Sequence, residues 1–100
     1  MSDRPDRSVS PESSVTVRYW AAARAAAGVE SDRVAVSAGT TLADVLAAVR
    51  LLHAVRSRLA EVLSVCSVLV GDRPVGSREP GDVTVAAGDV VELLPPFAGG

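Results

Sequence analysis

Six residues close the 100-residue chain: Pro95-Pro96-Phe97-Ala98-Gly99-Gly100. Proline has no amide donor and cannot continue a β ladder, so Pro95 and Pro96 force the backbone out of any sheet before them and stiffen it toward an extended polyproline form. At ~3.3 Å per residue, six residues reach roughly 20 Å. Gly99 and Gly100 have no side chains, so the tip can thread a channel too narrow for any other residue. The chemistry it offers is that of a carboxylate. That group is a poor electrophile as it stands but, once converted to an acyl adenylate, is open to attack by sulfur or an amine. Two terminal glycines arise by chance in about one chain in 200 at the usual glycine frequency. The diproline exit and the apolar strand before it argue against a merely flexible end.

Other chemistry-bearing residues are sparse. Cys66 is the single cysteine, which excludes an intramolecular disulfide and a Cys-rich zinc site. In its apolar strand it reads as a small buried hydrophobe and not as a sulfur donor. His53, the single histidine, lies among Arg50, Arg56 and Arg58 and reads as a surface residue without companions for a metal site. Those arginines read as a solvated helix face, or as a meeting point for anionic surfaces. No paired carboxylates flank the tip and no His/Cys dyad can be drawn, so neither catalytic nor metal-binding residues are assigned.

Composition narrows the class further. Ten Arg, no Lys and twelve Asp or Glu give a net charge of −2, which argues against a nucleic-acid binder needing a basic face. Without lysine, only the N-terminal amine remains as an acceptor, so self-conjugation through side chains is excluded. The apolar residues are 18 Val, 16 Ala and 9 Leu, with three aromatics (Tyr19, Trp20 and Phe97). Such a core is built of small side chains and leaves no large aromatic-lined cofactor pocket. The length allows one domain. No charged-then-apolar leader and no apolar run of ~20 residues is present. The expectation is a small cytoplasmic single-domain protein with neither membrane nor nucleic-acid partners.

The elements that must present the tip follow from periodicity. Residues 1–14 are polar, carry two prolines and read as a flexible tail. Val15, Val17 and Tyr19 alternate with Thr16, Arg18 and Trp20, the signature of a strand with one buried face. Ala21 to Ala27 favours a short helix stopped by Gly28. Arg33 to Ser37 reads as a second strand. Thr41 and Asp44 form a capping-box signature, and Leu42, Val45, Leu46 and Val49 make one apolar stripe, the main helix. Leu51 to Leu63 either extends that helix or forms a second one, with a break expected near His53 to Ser57. Val65 to Val70 reads as a strand, Gly71 to Pro74 as a turn, Val83 to Val85 as a short edge strand and Val90 to Leu94 as the last strand. This order gives an α+β fold, a mixed sheet with one main helix packed on one face. The first and last strands are the most apolar and suit central positions, and a parallel pairing between them is the arrangement called a β-grasp. The predicted domain spans residues 15–94, and 95–100 form its extended tail.

From Val15 to Gly100 the chain resembles the MoaD/ThiS sulfur-carrier family, with its ubiquitin-like β-grasp fold, and within it the small subunits of molybdopterin synthase. The resemblance rests on Val15-Thr-Val-Arg-Tyr-Trp-Ala-Ala-Ala-Arg24 with Gly28, on the Thr-Leu start of the main helix, and on the ending from Ala87-Gly88-Asp89 to Gly100. It implies that an E1-like enzyme adenylates Gly100 with ATP and that the acyl group becomes a thiocarboxylate. It further implies that the tail, with Ala98 and Gly99 giving slender access, enters the large subunit and delivers sulfur to cyclic pyranopterin monophosphate. A heterotetramer is implied, with the catalytic residues on the large subunit and no cofactor bound here. Carriage of sulfur for thiamine or cysteine synthesis, and a plain β-grasp binding module, are the competing readings.

Alternation suggests the partner surface. If Val91 and Leu93 face inward, then Glu92 and Leu94 lie outside beside Arg18 and Trp20. Trp20 and Leu94 would then form a binding hot spot at the tail root, continued by Pro95, Pro96 and Phe97. Trp20 packing over the alanine helix as ordinary core is the alternative. Arg24 is expected either to pair with a partner acid or to be solvated.

Overall fold

The computed structural model describes residues 13–55 and 57–96, so the expected roles of Phe97, Ala98, Gly99 and Gly100 and of residues 1–12 lie outside the described residues. Strand β1 (Ser14–Tyr19) leads into helix α1 (Ala21–Ala27), and β2 (Ser31–Ala35) follows. Helices α2 (Leu42–Leu52) and α3 (Ser57–Leu63) come next, then β3 (Ser67–Val70), β4 (Arg73–Pro74), a 3₁₀ turn at Pro80–Asp82 and β5 (Val90–Leu94). The sheet order is β2-β1-β5-β3-β4. β1 and β5 pair in parallel at the centre while the flanking pairs are antiparallel. This is the β-grasp, with the two most apolar strands in the middle as their patterning requires.

Local sequence signals set the helix ends. The Thr41 hydroxyl accepts from the Asp44 amide at 3.3 Å and the Asp44 carboxylate accepts from the Thr41 amide at 2.9 Å, a reciprocal capping box. The α1 helix ends at Gly28, whose φ of 79° is the left-handed turn that favours glycine, and its N–H donates to the Arg24 carbonyl. A sharper corner precedes α1. Ala21 has φ 49°, a conformation costing an L-residue about 1–2 kcal/mol, and the fold accepts it to turn the chain directly after Trp20. The 57–63 segment is a separate helix, as the expected break at His53 to Ser57 requires.

The core is aliphatic. Val15, Val17 and Tyr19 of β1 and Val91 and Leu93 of β5 are buried against Leu42, Val45, Leu46 and Val49 of α2, with Ala23, Ala27, Leu59 and Leu63 closing one side. Each fully buried Val or Leu is worth about 1.5–3 kcal/mol, so many small contributions replace the large aromatics the chain lacks.

Several elements depart from the sequence reading. β1 begins at Ser14, which is buried, and the Ser13 carbonyl accepts from the Val36 amide at 2.9 Å, so the ordered ladder starts before Val15. β2 is centred two residues earlier than Arg33–Ser37, because its register is fixed by β1 and only Val34 must be buried on this edge strand. β3 begins at Ser67, leaving Val65 and Cys66 in the connection from α3. Arg73–Pro74 pairs with Val70 and Leu69 as a two-residue strand where a turn was expected. Val83 to Val85 forms no edge strand: Thr84 makes a lone bridge to Thr41, while the two valines are plugs in the core.

Candidate functional site

The central strand β5 is the element that presents the chain end. Its alternation is strict, with Val91 and Leu93 fully buried and Val90, Glu92 and Leu94 half-buried on the opposite face. Leu94 is the last ladder residue and lies opposite Ser67 of β3. Pro95 is half-buried and Pro96 exposed, both beyond the sheet, as residues without amide donors must be. A strand held on both sides thus carries Pro95 out at a fixed place and direction.

Beside this root the outer face carries a connected polar group. The Trp20 amide donates to the Leu93 carbonyl at 3.2 Å, prolonging the parallel pairing by one residue. Its indole N–H donates to Glu92 Oε1 at 3.0 Å, and the Arg18 guanidinium lies 4.8 Å from the centre of the indole ring. Arg18 and Glu92 are also direct partners across the β1–β5 pair. Trp20 remains 36% exposed, which places it on the outer face and not in the core over α1. A wide, flat indole fixed by its neighbours and open to solvent has the properties of a binding anchor.

Arg24 stands one turn into α1. Its guanidinium is bound within the chain, to Glu30 at 2.9 Å, with both side chains largely exposed. A pair this wet is worth at most about 1 kcal/mol, so it is readily exchanged for another acid.

The inner end of β1 holds a cluster that the sequence reading missed. The Tyr19 hydroxyl donates to Asp32 Oδ2 at 2.8 Å, and His53 Nε2 lies 2.6 Å from the same oxygen. The Tyr19 and His53 rings meet edge to face, 5.9 Å apart at 88°. Burial, reinforced by the Asp32 hydrogen bond and charge, pushes the Tyr19 phenol far above its ordinary value. The expectation that His53 lies on the surface is therefore corrected. Its side chain is 12% exposed, because the end of α2 turns it inward to the carboxylate. The signal was present in Asp32: pairing with the buried Val17 puts it on the inner face of β2, where a carboxylate requires partners.

Cys66 packs half-buried against the core at the foot of β3, and burial pushes its thiol pKa up. A protonated thiol is a weak nucleophile, so the environment does not activate it. Among the described residues, no group of three or more His, Cys, Asp or Glu could hold a metal ion, and no helix is long and apolar enough to cross a membrane.

Comparison with known proteins gives the same architecture. SAMP1 from Haloferax volcanii superposes with a TM-score of 0.71 at 28% identity, over 87% of this chain and 99% of that one. A chain of the complex of subunits 1 and 2 of molybdopterin-converting factor from Helicobacter pylori 26695 superposes with a TM-score of 0.57 at 25% identity, over 87% and 99%. SAMP1 from Methanosarcina acetivorans, at 20% identity and a TM-score of 0.70 over 88% and 97%, shares the fold. No curated protein matches the chain. The ThiS family matches residues 17–100, from the first buried strand through the diglycine, and the chain belongs to that family.

Proposed function

We propose that the chain is the sulfur-carrying small subunit of a molybdopterin synthase. The observation that carries this reading is the central strand β5 running straight into Pro95-Pro96, with an exposed tryptophan anchor beside the exit. Membership of the ThiS family supports the carrier role, and the two-subunit complex from Helicobacter pylori supports a large-subunit partner.

In this reading residues 15–94 are the presenting domain and 95–100 the working end. The Gly100 carboxylate attacks the α-phosphorus of ATP on an E1-like enzyme, releasing pyrophosphate. A sulfur donor then displaces AMP to leave the thiocarboxylate. Trp20, Leu94, Pro95 and Pro96 seat the large subunit, Phe97 anchors the tail in its groove, and Ala98 and Gly99 let the end reach its active site. There the sulfur passes to cyclic pyranopterin monophosphate. The small subunit contributes no acid or base to that step.

The test is intact mass after incubation with ATP, an E1-like activator and a sulfur source. The expected gain is one oxygen-for-sulfur exchange, absent when Gly100 is deleted, and the product should convert the pterin once the large subunit is added. A Gly100-deleted chain that still supports pterin sulfuration overturns the reading. Similarity to SAMP1 at 28% identity favours a second reading, a protein modifier. It is distinguished by the appearance of amide-linked adducts with other proteins in the same reaction.

A further inference from the structure

We propose that the cavity between α2 and the β3–β4 side of the sheet is a binding site for a small amphipathic anion, a carboxylate on a compact apolar or aromatic body. This site is independent of the reading of the chain end. Its volume is about 440 Å³, within the roughly 300–1,000 Å³ usual for small-molecule sites. Leu42, Leu46, Leu63, Val68 and Val75 supply an apolar floor.

The charge of the wall selects the ligand. Arg50, in the last turn of α2, and Arg78, in the loop after β4, both line the cavity, and among the described residues no carboxylate does. Arg50 makes no ion pair with any described residue. Arg78 spends one N–H on the Val75 carbonyl at 3.3 Å and keeps the rest of its fork. Two exposed arginines on the wall of an aliphatic cavity match an anionic head on an apolar body and disfavour a cation. Ser64 and Ser67 add hydroxyl groups to the wall. Cys66 also lines it, so the single thiol of the chain reports occupancy.

The experiment uses the full chain, labelled with ¹⁵N, and benzoate as the probe. Benzoate should shift the amides of Ser64, Ser67 and Gly76 saturably, with a Kd on the order of 1 mM for so small a ligand. It should also slow alkylation of Cys66 by iodoacetamide. Benzamide, which has the shape without the charge, and acetate, which has the charge without the ring, should each bind about tenfold more weakly or not at all. Arg50→Ala combined with Arg78→Ala should bring benzoate down to the level of benzamide. Equal binding of benzoate and benzamide overturns the proposal, as do unsaturable shifts or shifts centred on Trp20 and Glu92. Tighter benzoate binding in Phe97→Ala would assign the cavity to the chain's own end and would also overturn it.

Discussion

Tyr19 ends β1 and Trp20 follows it directly, yet their polar atoms serve opposite ends. The Tyr19 hydroxyl points inward to a carboxylate shared with His53, in a part-buried setting between β1, β2 and the end of α2. The Trp20 indole points outward to Glu92 and Arg18 beside the tail root, where water or another protein can replace either partner. Burial makes the first set hard to do without and exposure makes the second exchangeable. The same bond type thus fastens the scaffold on one face and prepares a contact on the other.

The inner set should give the largest response. Asp32→Ala removes the one acceptor common to Tyr19 and His53 and leaves two part-buried polar groups unpaired. The expected loss is about 2–4 kcal/mol, read as a fall in Tm of roughly 10–20 °C. A Tm within about 3 °C of the parent would mean that water satisfies both groups and that the cluster holds nothing together.

The contrast also separates what the sequence discloses from what it hides. Val15, Val17 and Tyr19 against Thr16 and Arg18 reveal β1, because a period of two is local information. The Thr41–Asp44 box and the Ala21–Ala27 helix with its Gly28 stop are equally local, and both stand where expected. The pairing of β1 with β5 could be inferred because both strands are too apolar for an edge. Strand β2 could not be placed to the residue, since an edge strand with one buried side chain takes its register from its neighbour. The Asp32–His53 contact spans 21 residues and depends on the turn after α2, which no spacing rule specifies. Of the candidate site, its root was legible: Leu94, Pro95 and Trp20 stand where alternation and proline chemistry put them. The ion pair that engages Arg24 was not, because Glu30 carries no periodic signal.

The outer set should respond in binding and little in stability. Trp20→Ala loses an exposed hydrogen bond and a cation–π contact, together about 1 kcal/mol or less in the folded chain. Its affinity for the large-subunit partner proposed above should fall about tenfold or more, as for a central aromatic anchor. Calorimetric titration and a thermal melt measure the two effects separately. A large fall in Tm with unchanged affinity would reverse the assignment and make the indole part of the scaffold.

The smallest effect is invisible at neutral pH. Tyr19 is the only tyrosine, so ultraviolet titration of the phenol reports on it alone. Its folded pKa is raised, chiefly by burial and then by Asp32, so the folded chain keeps a proton that the unfolded chain releases near pH 10. Stability from this group is therefore complete below pH 10 and declines above it, by about 1.4 kcal/mol for each further pH unit. The phenolate band should accordingly stay absent past pH 10 and appear together with unfolding. In Asp32→Ala the hydrogen bond and the neighbouring charge are gone while the burial stays, so the band should appear at lower pH than in the parent. A phenol titrating at pH 10 in the folded parent would show that the hydroxyl reaches water, and the distinction between the two faces of β1 would fail at its closed end.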